Sequence, residues 1–296
     1  VNYLRFDSEN NSLKFLAYAF KKLRENLSLS ESSKRAHRTV LRTLQKFIPS
    51  DIAINHLNYT FIQKYDNWLR ANNYGQNTIW NHHKTIKVYI NQAIKEKIIL
   101  AADYPYLNFK TTTKESSRRG ITREEIKRIE ALDMAAPEMV LIKDLFLFSC
   151  YTGLRFSDLQ AINQDNLTVN GTEYTLDFVM QKTRKRVILP LFHLFNGKPQ
   201  SIMLKYYSAG NKYIFPRISN QYVNRTLKLI ASLANIRQTL TFHISRHTFC
   251  SRLAEIKPDP YLIKDLAGHA DIRISMIYIH QSGVVIENKL KEIQWN

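Results

Sequence analysis

The feature that most constrains this chain is a change of hydrophobic period along its length. From Asn11 to about Leu100, apolar residues recur at the helical spacing: Leu13, Leu16, Phe20 and Leu23, then Val40, Leu41, Leu44 and Ile48, with similar runs over 61–69 and 79–99. Such spacing places apolar side chains on one helix face, so a bundle of about four helices is expected. Breaks at Ser28 to Ser33, at Pro49-Ser50-Asp51 and at Asn72 to Gln76 carry turn and N-cap residues. Between Ala101 and Gly120 the periodicity stops, and the polar, basic stretch from Thr111 to Gly120 reads as a linker. A new domain opens at Thr122, which sets up a capping box with Glu125 ahead of Ile126, Ile129 and Leu132. A nearly all-apolar helix from about Pro137 to Tyr151 follows.

After Asp165 the period becomes two. Residues 166–169, the pair Asn170-Gly171 and residues 172–180 read as a hairpin, because Asn-Gly supplies the positive φ that a two-residue turn demands. A third strand, Val187 to Leu189, makes the segment 181–186 the turn between strands two and three. From Asn220 the pattern is helical again, interrupted by Pro258-Asp-Pro260 and Gly268. The expected fold is therefore mainly α in two domains: an all-α bundle over 10–100, a linker over 101–120, and an α+β domain over 121–296 with a small three-stranded antiparallel sheet.

Charge then narrows the partner. The 296 residues include 43 Lys and Arg against 25 Asp and Glu, a net +18. Residues 1–100 hold 16 basic and 7 acidic groups and the rest 27 and 18, so each part carries +9 and each is expected to touch a polyanion. The second and fourth helical runs concentrate Lys34, Arg35, Arg38, Arg42, Lys84 and Lys87. Residues 201–250 hold seven Lys or Arg and no acid, an imbalance suited to a DNA-facing surface. Cys150 and Cys250 sit in apolar helical runs and are expected to be free thiols in a reducing cytoplasm. No stretch reaches 18 uninterrupted apolar residues, and no initiator Met or signal-peptide core opens the chain, which leaves room for a further N-terminal domain.

Four segments bring polar residues into apolar surroundings. In Tyr151-Thr-Gly-Leu-Arg-Phe-Ser-Asp158, Gly153 ends a buried helix and Arg155 starts the next, where the helix dipole favours acids; its partner is either Asp158 or an anion. Lys182-Thr183-Arg184-Lys185 clusters cations in a turn, either a solvated tip or one that reaches into a DNA groove. In His243-Ile-Ser-Arg-His247, His243 and Arg246 share a helix face and can address one oxyanion, or they simply face solvent. His243 and His247 also have metal-pair spacing, but the metalloprotease glutamate is absent and Arg246 between them would oppose a dication. In Gly268-His269 through Tyr278, Asp271 caps a short helix whose tyrosine is either packed or a nucleophile among cations.

Taken together, in this order and spacing over 122–280, these segments resemble the active-site boxes of the tyrosine recombinases, the phage-integrase type of site-specific DNA recombinase. Residues 11–100 resemble that family's helical core-binding domain. The resemblance implies six catalytic residues: Arg155, Lys182, His243, Arg246, His269 and the nucleophile Tyr278. Lys182 is preferred to Arg184, Lys185 and Arg186 because a Lys-Thr pair at the end of the second strand resembles the family's catalytic lysine. Three positions depart from the usual pattern: Ser245 where Leu is common, Ala267 for the Leu of a Leu-Gly-His triplet, and Arg184 for a frequent turn glycine.

The implied chemistry is transesterification through a 3′-phosphotyrosine, with no cofactor and no metal. The arginines and histidines would hold the phosphate, Lys182 would protonate the leaving 5′-oxygen, and Asp158 would orient Arg155 without being catalytic. Double-stranded DNA, a synaptic homotetramer and accessory DNA-bending proteins are the implied partners, and the cytoplasm, at the bacterial nucleoid, is the implied location. An apolar stripe after Gly283, with Val284, Val285, Ile286, Leu290 and Ile293, either packs on its own domain or, as the resemblance implies, docks a tail helix on a neighbouring protomer. Integration or excision of a mobile element is the implied role. DNA inversion and chromosome-dimer resolution are alternatives within the family, and a type IB topoisomerase or a non-catalytic DNA-binding protein are alternatives outside it.

Overall fold

The computed structural model describes residues 13–114, 119–208 and 210–281. The chain forms two compact units that part between Ser116 and Ser117. Among the described residues no helix is long and apolar enough to cross a membrane. The expected tail helix after Gly283 lies outside the described residues.

The first unit is built from α1 (Phe15–Glu25), α2 (Glu31–Phe47), α3 (Tyr59–Ala71) and α4 (Gln76–Lys95). Ser30 and Asn58 cap α2 and α3, each side chain accepting the backbone N–H three residues on. Helix α1 has no cap of its own. Instead Asp51, in the break after α2, accepts the N–H groups of Leu16 and Ala17 at 2.9 and 3.0 Å, placing a carboxylate on the positive end of the helix dipole. Phe15, Leu41, Leu44, Ile62, Tyr65, Leu69 and Ile90 are buried together. Of the basic residues on α2 and α4, Arg35, Arg42 and Lys84 are exposed, whereas Lys87 lies over the Tyr106 ring, 4.7 Å from its centroid.

The stretch 101–120, expected as a linker, is in good part folded. A single 3-10 turn spans Ala101–Asp103, Tyr106 is buried, and Tyr104 and Phe109 pack on the helical core. Aromatic residues too widely spaced to show a period account for the discrepancy. Tyr106 also closes a buried polar chain: its hydroxyl is 3.0 Å from Nδ1 of His83, whose Nε2 is 3.1 Å from Asp66.

The second unit opens with α5 (Arg123–Glu130), where the Thr122/Glu125 capping box forms in both directions, and continues through α6 (Pro137–Thr152) and the single turn α7 (Phe156–Leu159). Strands β1 (Leu167–Asn170), β2 (Glu173–Val179) and β3 (Arg186–Pro190) form one antiparallel sheet in sequence order. The first hairpin loop sits one residue later than the Asn170-Gly171 pair suggests. Asn170 pairs with Glu173, so Gly171 and Thr172 make the loop and Gly171 alone takes a positive φ. Helices α8 (Lys198–Leu204), α9 (Asn220–Leu233), α10 (Phe242–Ile256), α11 (Pro260–Ala267) and α12 (Ile272–Gln281) complete the unit. Its main core joins α5, α6, the inner face of the sheet and α9, and α10 to α12 bury a second cluster around Phe249, Ile263 and Ile279. Gly120, expected to end a linker, lies directly on α10: a Cβ there would come within 2.7 Å of the Thr248 backbone, and the next residue, Ile121, donates its N–H to the Thr248 hydroxyl.

Burial pushes His82 and His83 down to about 4, outweighing the Asp66 carboxylate that pulls His83 the other way. A histidine held neutral in the fold contributes stability that is present above its unfolded pKa of about 6.5 and is lost as pH falls toward 4. The unfolding free energy of the first unit, from urea titrations followed by tryptophan fluorescence, should therefore fall between pH 7 and pH 4.5, by on the order of 2 kcal/mol per histidine. A flat profile would contradict this account of the buried pair.

Candidate active site

All six candidate residues lie in the second unit, and each is placed by a local device. Helix α6 ends at Gly153, whose left-handed φ of +70° closes the helix through an N–H bond to the Ser149 carbonyl. A Cβ at Gly153 would come within 2.5 Å of the Phe249 ring. The turn exposes the Gly153 carbonyl to Arg246 on α10, which donates to it from Nη1 at 2.7 Å. Arg246 is 4% exposed and its Nη2 is buried with no hydrogen-bond partner within the protein. Burial above all, and then the positive charge of Arg155, lowers the guanidinium to about 10, so it stays charged at neutral pH.

Arg155 is the N-cap residue of α7 and contributes no capping hydrogen bond of its own. Its Nη1 contacts the Met180 sulfur at 3.0 Å and lies 3.8 Å from Asp158 Oδ2, an ion pair without a hydrogen bond. The carboxylate's hydrogen bond goes elsewhere: Asp158 Oδ1 accepts the Gln181 N–H at 2.9 Å. Asp158, expected only to orient Arg155, thus also anchors the turn that carries Lys182.

That turn is closed by Met180 N–H to the Lys185 carbonyl and Arg184 N–H to the Met180 carbonyl. Arg184 adopts φ +55°, the left-handed conformation that glycine takes without strain. Lys185 donates its ammonium to the His269 carbonyl at 2.6 Å, fastening the turn to the segment before α12. Lys182 is exposed and lines a cleft of about 480 Å³ together with Arg155, His243 and Arg246. The walls of this cleft also include Asn220 and Asn224 of α9.

Tyr278 is buried on α12, its ring parallel to that of His269 with centroids 6.2 Å apart. Its hydroxyl is 2.9 Å from Nδ1 of His247. Burial, then Cys250, holds the phenol above its ordinary pKa, while the Arg246 charge pulls it down. His269 bonds Ser275 Oγ through Nδ1 at 2.8 Å. Burial, then the charges of Arg246, Arg155 and Lys185, pushes it down to about 3, so it is a neutral hydrogen-bonding group rather than another cation. His243 is exposed near the start of α10, and its ring meets that of His247 edge-on, centroids 4.9 Å apart.

Arg155, Lys182, His243 and Arg246 thus share a cleft, and His269 and Tyr278 join them through His247 and through the charges of the two arginines. Sequence reasoning weighed His247 only as half of a metal pair; its contact with Tyr278 depends on how α12 packs on α10, which no local spacing reveals. Two departures from the family's pattern have local explanations. Buried Ser245 is hydrogen-bonded to Ser149 and to the Phe242 carbonyl, and Ala267 is fully buried in the α10–α12 cluster.

The sequence profile of the phage integrase family matches residues 119–283, over half of the chain, and that of the phage integrase SAM-like domain matches residues 13–113. The chain belongs to the phage integrase family. Among its relatives, the tyrosine recombinase XerD of Oceanobacillus iheyensis is 26% identical over 234 residues, which are 73% of this chain and 74% of that protein. The tyrosine recombinase XerC of Mannheimia succiniciproducens is 24% identical over 171 residues, 55% of this chain and only 56% of the relative. The fold is also that of the Tn1549 transposon integrase solved with transposon right-end DNA, with TM-score 0.75 and 15% identity over 94% of this chain and 99% of that one.

Gly153 sets the position of the carbonyl that holds Arg246. Gly153→Ala combines a left-handed φ with a clash against an aromatic ring and should cost about 2–4 kcal/mol. The unfolding free energy of the second unit, from denaturant titration, measures it, and a loss below about 1 kcal/mol would mean that the turn relaxes freely.

Proposed function

We propose that the chain is a site-specific DNA recombinase that cuts and rejoins duplex DNA through a 3′-phosphotyrosine. The observation that carries this reading is Arg246: a buried, charged guanidinium with one nitrogen left unpaired, in a cleft shared with a second arginine. Leaving such a donor unpartnered is costly unless a ligand completes it, and a planar guanidinium matches two phosphate oxygens. Arg155 and Arg246 then clamp the non-bridging oxygens of the scissile phosphate, and His243 and neutral His269 donate hydrogen bonds to them. Tyr278 attacks phosphorus, and Lys182, exposed on the cleft while Lys185 is tied to the His269 carbonyl, protonates the departing 5′-oxygen. The phosphotyrosine conserves the bond for the 5′-hydroxyl of a partner strand. Charge preorganised around the phosphate does the work that a metal ion performs in other phosphoryl-transfer sites.

Strand exchange between two duplexes calls for several protomers, and we place a tetramer on the paired sites, with accessory DNA-bending proteins, at the nucleoid of the cytoplasm. Mobile-element integration or excision is the role we assign, with DNA inversion and chromosome-dimer resolution as alternatives. Rejoining of strands between two separate duplexes distinguishes all three from a topoisomerase.

Tyr278→Phe should abolish the covalent adduct on a nicked suicide duplex and leave binding within a few-fold; undiminished adduct would remove Tyr278 from the nucleophile role. Lys182→Ala should slow cleavage about 10²–10⁴-fold on a normal 5′-oxygen. It should slow a bridging 5′-thio substrate far less, because a thiolate leaves without a proton. Equal slowing on both substrates would move the general acid elsewhere.

A further inference from the structure

An attacking tyrosine must lose its proton, and the hydrogen bond that its hydroxyl makes within the fold goes to His247, outside the six residues assigned above. Burial keeps Tyr278 a phenol at neutral pH. Arg246 is already protonated and does not give up its charge near neutrality. The Cys250 thiol, pushed up to about 11 by burial, is protonated as well. His269 stacks on the phenol ring, and its Nδ1 is occupied by Ser275. The imidazole that does meet the phenolic oxygen is that of His247, whose Nδ1 lies 2.9 Å from it, within the distance required of a general base in its reactive position.

His247 is also held where a base should be. It follows Arg246 on α10, so the residue that grips the phosphate and the one that meets the nucleophile share one rigid helix. Gly120 packs against the α10 backbone where His247 joins Thr248, and the His243 ring packs edge-on against the His247 ring. Among the groups that meet His247 from the neighbouring elements are Tyr278 of α12 and, through its charge interaction, His269.

Resting on the recombinase reading above, we propose that His247 is the general base that takes the proton of Tyr278 as its oxygen attacks phosphorus. The Oη–P bond forms and the P–O5′ bond breaks. The phenolic proton passes to His247 Nδ1, and the leaving 5′-oxygen takes a proton from Lys182. In resealing, the incoming 5′-hydroxyl returns its proton to Lys182, the P–Oη bond breaks, and His247 gives the proton back to Tyr278. His247 is thus a seventh catalytic residue, in contact with a reacting atom.

The test uses the full chain and a nicked suicide duplex whose site has been selected from a random-sequence pool by binding to the wild-type protein. Single-turnover adduct formation should be at least about 10²-fold slower in His247→Ala, with DNA affinity within a few-fold of wild type, and added imidazole should restore part of the rate. His247→Gln, which keeps a hydrogen-bonding side chain of similar reach but cannot take a proton, should be as slow as the alanine variant. It reports on the base even if the alanine variant folds poorly. A wild-type rate in His247→Gln overturns the proposal, because the residue would then only position Tyr278. The wild-type arm reads the recombinase assignment separately: adduct there with an unslowed glutamine variant overturns the base alone, whereas bound DNA with no adduct in the wild type overturns both.

Discussion

The site depends on one hydrogen bond, from Arg246 Nη1 to the carbonyl of Gly153, residues 93 apart in sequence. A guanidinium is costly to bury, and this one is buried with a single carbonyl to satisfy it from the α6 end. The carbonyl is available because Gly153 turns left-handed at the end of α6, and the turn is possible because no Cβ meets the Phe249 ring. From Gly153 the chain runs directly to Arg155 and Asp158. Asp158 holds the Gln181 backbone, and Lys185, at the far side of the same turn, holds the His269 carbonyl. Each contact fixes the next segment, so four short stretches spread over some 125 residues are assembled by backbone contacts before any ligand arrives.

Such an arrangement presses like charges together, and the protein limits the repulsion at the group that can lose its charge. His269 stays neutral because burial and three neighbouring cations all act in the same direction. Arg246 also shifts downward yet remains ionised, since a guanidinium starts so far above neutrality. An anion between Arg155 and Arg246 removes the repulsion and completes the unpaired Nη2 at once. The free site is therefore least comfortable where a phosphate would be most welcome.

Much of this was legible in the sequence because it rests on local chemistry. The helical period of Leu13 to Ile99, the Thr122/Glu125 capping box and the alternation after Asp165 depend on neighbours a few residues away, and the structure realises each of them. The site segments were legible as patterns because a glycine turn, an arginine at a helix start and a histidine–arginine pair on one face are each unusual in apolar surroundings. What escaped the reading depends on tertiary packing. Asp51 caps a helix 35 residues away. Tyr106 and Phe109 extend the helical core from a stretch with no period. Gly120 looks like a flexible residue until α10 is found lying on it. Even the hairpin misled by one residue, because a turn sequence names the loop and only the cross-strand pairing fixes its register.

The burial of Tyr278 serves the proposed chemistry twice. It keeps the phenol protonated in the free protein, so the nucleophile is not a standing phenolate open to side reactions, and attack waits on a base in contact with the oxygen. It also governs the intermediate. On the proposed mechanism, a phosphotyrosine formed on this side chain would sit where water has poor access, since the residue is 9% exposed and stacked on His269. Water is then a weak competitor, whereas a 5′-hydroxyl carried in by a paired strand arrives already oriented at phosphorus. The burial that slows activation of the nucleophile thus favours resealing over hydrolysis, as a reaction that must return every strand intact requires.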